Sequence, residues 1–309
     1  MIKRVVALAA LACLPFHSVA GKPDLPMPIA QQLPVELVPL QQEIGVIVQP
    51  NPVGAFGLIG ALASVAINKA QVENGEKRVA EIRNLLLDYR FNEQVEKALR
   101  AKLANDGISP QPVISLRQTE WDAASPADVL LITPTYHVAN TFEAMTVALR
   151  VQMVHREIAS NGKAKIEIRF GRDYSMNIPM RKIGGSGAGE DAQRWIAMGK
   201  PSLERLIDHG IEQTTDMLVY DFSSAGRAEA GKRVMNTEMT KFGKEIYKGR
   251  LLRTDGESVW LRQGNDRYQV VTGYHPVDGQ PIAEAVAPVA PAAPVDAVAA
   301  PATGSQGSP

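Results

Sequence analysis

The strongest constraint on the fold is the run EAMTVALRVQMVHR at residues 143–156, in which large apolar side chains recur at every second position from Met145 to Met153. Successive side chains of a β-strand point to opposite faces of its sheet, so this period of two predicts a strand with one buried and one solvent-facing side. A sheet that keeps one wet face is typically antiparallel and is covered by helices on the other face. The predicted buried residues are Met145, Val147, Leu149, Val151 and Met153.

Further strands are predicted on both sides of this one. KAKIEIRFGR (163–172) repeats the alternation, which assigns Ile166, Ile168 and Phe170 to one face and the intervening charged residues to the other. ADVLLITPTYHVA (127–139) has strand composition as well, and the short connections between these runs favour antiparallel pairing. Two shorter stretches also have strand composition: EIGVIVQP (43–50) and PVISLRQ (112–118).

Two regions have the periodicity of amphipathic helices. Asn105-Asp106-Gly107 is expected to end the first, and a second region follows IGGSGAGED (183–191). Gly199-Lys200-Pro201 interrupts the second region, which predicts two helices there instead of one. In the first region, apolar residues recur at three- and four-residue steps: Val79, Ile82, Leu85, Leu86, Tyr89, Val95, Leu99 and Leu103.

The order of these elements predicts an α+β fold, with a mostly antiparallel sheet covered by helices and a small C-terminal three-stranded β meander. The meander is assigned to EIYKGRLLRT (245–254), SVWLRQG (258–264) and RYQVVTGYHP (267–276). The predicted divisions of the chain are a signal peptide (1–20), a proline-rich leader (21–42), the α+β domain (43–222), a linker with the meander (223–280) and a disordered tail rich in alanine and proline (281–309).

The N-terminus has the three regions of a secretory signal. Lys3 and Arg4 precede an apolar run from Val5 to Phe16, and Ser18-Val19-Ala20 then supplies small residues for cleavage. We therefore expect a periplasmic protein, with an outer-membrane-associated one as the alternative. Lipid attachment at Cys13 would favour that alternative, but the residues before Cys13 match a lipobox poorly.

Cleavage after residue 20 would leave no cysteine, because Cys13 is the single cysteine of the chain. Disulfides and thiol nucleophiles are then excluded from the mature protein. Without Lys3 and Arg4, 31 basic residues (33 − 2) remain against 33 acidic ones, a net charge near −2. This balance argues against a nucleic-acid-binding protein, which needs a concentrated basic face.

Catalytic, cofactor and metal motifs are not found in the sequence. The segment around Ser186 lacks the last glycine of a nucleophile elbow, and Glu190 stands where a dinucleotide loop would meet a pyrophosphate. The histidines of the mature chain lack metal-ligand spacing, although His137 and His155 lie on neighbouring predicted strands and could meet: His137, His155, His209 and His275. We therefore assign no catalytic residue, no cofactor and no metal.

The stretch GAFGLIGALASVAINKA (54–70) is almost wholly apolar. The apolar run from Val53 to Ile67 would span about 22 Å as a helix, less than the ~30 Å hydrocarbon core of a bilayer. Three interpretations stay open: a buried helix start, a membrane-inserting or oligomerising hairpin, and a loop that packs on a partner. Since glycines allow close backbone approach, Gly54, Gly57 and Gly60 are the predicted interaction surface.

A family resemblance follows from three hydrophobic patterns, GLIGAL (57–62), LDYRF (87–91) and ADVLLI (127–132), the last followed by a long alternating strand. Over residues 43–222 the chain resembles uncharacterised proteobacterial exported proteins. It is loosely similar to envelope lipoproteins with a strand–helix–meander domain, namely the GNA-type, curli-secretion and penicillin-binding-protein-activator classes. The resemblance implies a non-enzymatic envelope component and assigns a role to no residue.

The sequence thus predicts a non-enzymatic periplasmic interaction protein, an accessory or assembly component of the cell envelope. It would present a sheet edge or the glycine-rich segment to an envelope protein partner or to a second copy of itself. Two alternatives stay open: a periplasmic hydrolase without a linear motif, for which Ser186 and His209 are the first residues to mutate, and an inhibitor or immunity protein of a secreted toxin. No nucleic-acid partner is expected.

Overall fold

A mixed β-sheet, covered by helices on one face, organises the part of the chain that the computed structural model describes. That part comprises residues 34–39, 41–47, 75–105, 113–116, 126–159, 164–182, 187–232, 238–264 and 269–279. The strands within it are β1 (Val35–Leu37), β2 (Gly45–Ile47), β3 (Ile114–Leu116), β4 (Asp128–Ala139), β5 (Ala144–Ile158), β6 (Ala164–Pro179), β7 (Met239–Phe242), β8 (Glu245–Lys248), β9 (Arg250–Asp255), β10 (Ser258–Gly264) and β11 (Gln269–Tyr274). The helices are α1 (75–85), α2 (Phe91–Asn105), α3 (Ala188–Ala197), α4 (Gly199–Phe222) and α5 (Ser224–Ala230).

The α+β class is confirmed, but the prediction of a mostly antiparallel sheet is only partly correct. Among the described strands the order is β3-β1-β4-β5-β6-β11-β10-β9, and β2 also pairs with β4. The pairs β1–β3, β1–β4, β2–β4 and β6–β11 are parallel, whereas β4–β5, β5–β6, β9–β10 and β10–β11 are antiparallel. Short connections produce the antiparallel pairs, which local patterning predicts. The parallel pairs join strands distant in sequence, which it does not.

Residues 21–42, assigned to a proline-rich leader, include a strand of the sheet, β1. Val35 and Leu37 are fully buried in the core, and β1 lies between β3 and β4. Pro34 and Pro39 flank the strand but do not interrupt it, which leaves room for three residues of sheet pairing.

The C-terminal strands form the predicted antiparallel meander, in the order β9-β10-β11. The meander is continuous with the main sheet, because β11 pairs in parallel with β6 from Val270↔Asp173 to Tyr274↔Asn177. The predicted first strand divides at Gly249, whose φ is +130°. Its first part is β8, which pairs with β7 in a separate hairpin.

The predicted helical stripe is buried against the sheet, except that Leu85 is only partly buried. It is divided between two helices instead of one, since α1 ends at residue 85 and α2 begins at Phe91, and Leu86 and Tyr89 lie in the connection between them. The predicted division of the second helical region is confirmed at Gly199, whose φ is +73°. Helix α4 then crosses β5 closely, and a Cβ on Gly210 would lie 2.6 Å from Cγ2 of Val147.

None of the helices in the described ranges combines the length and apolarity needed to cross a membrane. The predicted signal peptide, the C-terminal tail and the glycine-rich stretch 54–70 lie outside the described residues.

Candidate functional site

The residues singled out in the sequence fall into two groups. Gly54, Gly57, Gly60 and Ser186 lie outside the described residues, whereas all four histidines of the predicted mature chain lie within them. The structure also contains two features that sequence patterns do not reveal: a buried charge cluster and an exposed strand edge.

His137 and His155 do not meet, contrary to the sequence-based suggestion. His137 of β4 pairs with Thr146, and His155 of β5 pairs with Asp128, so nine residues of strand separate them. At 3.4 Å per residue this is about 30 Å. His155 Nδ1 lies 2.9 Å from Asp128 Oδ1. Nδ1 of His137 is buried without a hydrogen-bond partner among the described residues, and burial lowers the pKa of His137 to about 4.

A second histidine pair does meet, across a serine. Ser258 Oγ of β10 lies 3.2 Å from His209 Nε2 of α4 and 3.1 Å from Nδ1 of His275, which follows β11. The two imidazole rings lie 4.5 Å apart between centroids. Burial lowers the pKa of both histidines, and the neighbouring His209 ring lowers that of His275 further. A neutral pair suits this geometry, because the hydroxyl donates to one ring while the other ring donates to it.

This His209–Ser258–His275 cluster has the residue types of a hydrolase but not the access. Ser258 is 1% exposed, so its hydroxyl is sealed from a substrate. Within the described residues, neither ring has a carboxylate hydrogen bond to orient it as in a serine hydrolase. A cleft of about 280 Å³, lined in part by Leu206, Glu257 and His275, lies beside the cluster. The cluster therefore fastens α4 to β10 and to the segment after β11.

A buried charge cluster lies under the same helix, at the end of α4. Asp221 is fully buried and accepts from Arg262 Nη2 at 2.8 Å and from the Tyr174 hydroxyl at 3.0 Å. Arg172 Nε lies 3.3 Å from the Asp221 carboxylate, and both guanidinium groups donate to the Gln269 side-chain oxygen. Burial, and then the Asp221 carboxylate, raises the pKa of Tyr174 well above its ordinary value. This Asp221 cluster links α4 to three strands, β6, β10 and β11.

The first half of β6 has an exposed edge. β11 pairs with β6 only from Asp173 onward, and among the described strands none pairs with that side of β6 before Asp173. All five residues 165–169 are exposed, unlike any other run inside the strands β4, β5 and β6. We call residues 165–169 the leading edge of β6. Unpaired strand edges expose backbone donors and acceptors that can pair with another chain.

The alternation of β6 changes phase at the end of this edge, which corrects the prediction that Ile166, Ile168 and Phe170 share one face. Phe170 pairs with Met153 and Ile168 with Val154, so Arg169 is the extra residue of a β-bulge. Consecutive residues of β5 point to opposite faces, so Phe170 and Ile168 do as well. Phe170 is buried and packs edge-on against Phe222, at 5.4 Å between ring centroids.

The bulge leaves two isoleucines on the face opposite the main core. Ile166 and Ile168 are 49% and 47% exposed. Val154, which pairs with Ile168, belongs to a small buried apolar cluster with Val129 and Leu131. Ile166 and Ile168 thus extend this buried apolar cluster into an exposed apolar patch on the leading edge of β6. Exposed apolar patches are typical of interaction surfaces.

Charged groups lie on the other face of the leading edge. Arg169 Nη1 lies 3.0 Å from Asp128 Oδ1, which also contacts His155, and Arg169 Nε lies 3.9 Å from Glu167 Oε2. The strand therefore presents apolar side chains on one face and a mixed-charge network on the other. Among the described residues, no group of three or more histidine, cysteine, aspartate or glutamate side chains is arranged to hold a metal ion.

Comparison with known proteins gives no family for this chain. No family model matches it, and no curated protein matches it. A search of solved structures finds a chain titled "Crystal structure of uncharacterized protein", 13% identical, in an alignment that covers 65% of this chain and 96% of that one with a TM-score of 0.27. A likeness at that score carries no argument, and the resemblance to exported envelope proteins stays a prediction.

Proposed function

We propose that this chain is an interaction protein of the cell envelope that binds an extended segment of a partner protein along the leading edge of β6. The observation that carries the proposal is the exposed segment 165–169 of a core strand, which pairs with β5 on one side and with no described strand on the other, and which has two half-exposed isoleucines at alternate positions. Strand addition to a sheet edge draws its affinity from backbone hydrogen bonds and its specificity from alternate side chains.

The chemistry of the edge defines the partner segment. On one face, Ile166 and Ile168 would contact apolar side chains at alternate positions of the added strand. On the other face, Lys165, Glu167 and Arg169 present both signs of charge, which favours a segment with mixed charges there. A partner strand of about five residues would match the exposed length.

The rest of β6 supports a rigid docking edge. Its second half pairs with β5 on one side and β11 on the other, and Phe170 anchors the bulge in the core. The leading edge itself pairs with β5 from Ala164 to Ile168. A pre-formed edge spares the protein the entropy of ordering a loop when a partner binds.

The proposal includes export to the periplasm, supported by the order of charged, apolar and small residues at the N-terminus. Fractionation of cells that express the full chain with a C-terminal tag tests this part. Release with the periplasmic contents, and a mass consistent with loss of about twenty residues, are expected. A full-length product in the cytosolic fraction would contradict export.

The binding proposal is tested by photocrosslinking in cells from a photoreactive amino acid at position 165. We expect crosslinks to one extended segment of an envelope protein, identified by mass spectrometry, with apolar residues at alternate positions. The double variant Ile166→Thr, Ile168→Thr should lose them, since threonine keeps strand propensity but removes apolar surface. Leu251→Thr is the matched control, because Leu251 lies on another edge strand, β9, and is 48% exposed.

Two outcomes would contradict the proposal. Crosslinks that persist unchanged in the double variant would show that Ile166 and Ile168 are not part of the interface. Crosslinks to a second copy of this chain alone would replace a foreign partner with self-association through the same edge.

A further inference from the structure

The β7–β8 hairpin forms a second candidate surface, separate from β6. Its register pairs Met239 with Lys248 and Lys241 with Ile246. Directly paired residues share a face, so these four side chains lie together, on what we call the outer face of the hairpin. Gly243, with φ +61°, lies in the turn, and Lys244 follows it.

The opposite face fixes the hairpin to the body of the protein. The Tyr247 ring stacks on Tyr274 of β11 at 4.2 Å between centroids. Thr240 Oγ1 donates to the Gly249 carbonyl at 2.8 Å, and Arg250 is paired with Glu238. The hairpin is therefore held to the body of the protein near its open end, and the side chains of its outer face are exposed.

The outer face combines exposed apolar groups with lysines. Met239 and Ile246 are 60% and 63% exposed, among the highest values for large apolar side chains in the described residues. Lys241, Lys244 and Lys248 are exposed, and none forms an ion pair with another described residue. Glu245 lies on the opposite face of the hairpin.

We propose that the β7–β8 hairpin docks the protein onto membrane surfaces that contain anionic lipids. Met239 and Ile246 enter the interface between headgroups and acyl chains, and the three lysines contact lipid phosphates. Long lysine side chains can keep their ammonium groups at the headgroup level while their stems cover apolar surface.

The chemistry of the cations favours lipid over an acidic protein. All three are lysines, which act as mobile point charges suited to a diffuse layer of phosphates, whereas arginine is preferred where a carboxylate is recognised in fixed bidentate geometry. The two apolar side chains protrude from a two-stranded hairpin, a shape suited to insertion into a lipid interface.

The test is co-sedimentation of the full chain with vesicles of phosphatidylcholine alone or with 30% phosphatidylglycerol, on the order of the anionic content that attracts basic segments. We expect binding to the anionic vesicles that weakens as salt rises. Neutralising one lysine should weaken binding about fivefold, so Lys241→Gln, Lys244→Gln, Lys248→Gln together should lose about 100-fold. Met239→Thr with Ile246→Thr should lose about tenfold.

The matched control changes three exposed lysines elsewhere, Lys77→Gln, Lys97→Gln and Lys182→Gln, which alters the net charge by the same amount. Any contribution of the apolar N-terminal residues to binding is the same in every variant. Equal losses in the control and hairpin variants would overturn the proposal, as would equal binding to both vesicle types. The proposal would also be overturned if the hairpin variants bound anionic vesicles normally but no longer bound a soluble acidic protein. None of these results bears on the leading edge of β6.

Discussion

Replacement of Asp221 by alanine tests how the charge cluster under α4 contributes to stability. Asp221 and Arg262 are fully buried and Arg172 is 3% exposed, so the carboxylate is the anion that compensates two desolvated guanidinium groups. Removal of one partner from a buried ion pair typically costs about 3–5 kcal/mol. Because Asp221 contacts two buried guanidinium groups, we expect Asp221→Ala to lower the free energy of unfolding by about 4 kcal/mol.

The assay is urea unfolding followed by circular dichroism, with Asp173→Ala as the control. Asp173 pairs with Arg150 at 3.0 Å, but on the partly exposed face of the sheet. Exposed pairs contribute about 0–1 kcal/mol, so the control should lose no more than that. Addition of Arg262→Met to Asp221→Ala should restore part of the loss, because it removes one of the uncompensated charges. Equal losses in Asp221→Ala and Asp173→Ala would refute the reasoning.

Three further variants test other contacts by urea unfolding. Burial holds the pKa of His137 near 4, below the ordinary 6.5, so the unfolded chain takes up more protons as the pH falls through 6.5. Stability should therefore drop by about 2 kcal/mol from pH 7 to pH 5, and His137→Asn should abolish that part of the drop. Gly210→Ala should cost about 2 kcal/mol because its Cβ overlaps Val147, and a smaller residue at position 147 should relieve the loss. Ser258→Ala should lower the free energy of unfolding by about 1–3 kcal/mol, because two buried ring nitrogens lose their hydrogen-bond partner. A variant as stable as the parent would show that these hydrogen bonds do not stabilise the fold.

The local elements could be predicted from the sequence because each rests on the period of its own side chains. The alternation around Val147 and Leu149 specifies β5, and both residues are fully buried. The apolar stripe from Val79 to Leu103 specifies a helical face. The break between the two helices before Phe91 is not predicted, because it contains no proline or glycine. The break between α3 and α4, in contrast, is predicted by Gly199.

Pairing between distant segments could not be predicted. The parallel pair β6–β11 joins residues about a hundred positions apart, and neither strand encodes its partner in a local pattern. The bulge at Arg169 could not be predicted from the sequence either, because Ile166, Ile168 and Phe170 have the spacing of a single face. It is this bulge that turns two predicted core residues into an exposed surface.

The polar clusters were missed for the same reason. Ser258 and His275 belong to no motif, and no sequence pattern links His209 to either of them. The fold brings His209 and Ser258 together across 49 residues of chain, and Arg262 to Asp221 across 41. A charged strand residue such as Arg262 can be buried only if a counterion lies close to it. A single sequence does not show which residues will be close in the fold, so it does not predict the buried network.

The central claim is that a partner strand adds to the leading edge of β6, and hydrogen exchange of its backbone amides tests it most directly. Exchange would be followed by mass spectrometry over residues 164–170, before and after addition of the partner segment found by crosslinking. We expect slower exchange in this segment on binding, with no change in β9, a terminal strand of the described sheet. Unchanged exchange at residues 164–170, with protection appearing elsewhere, would contradict it.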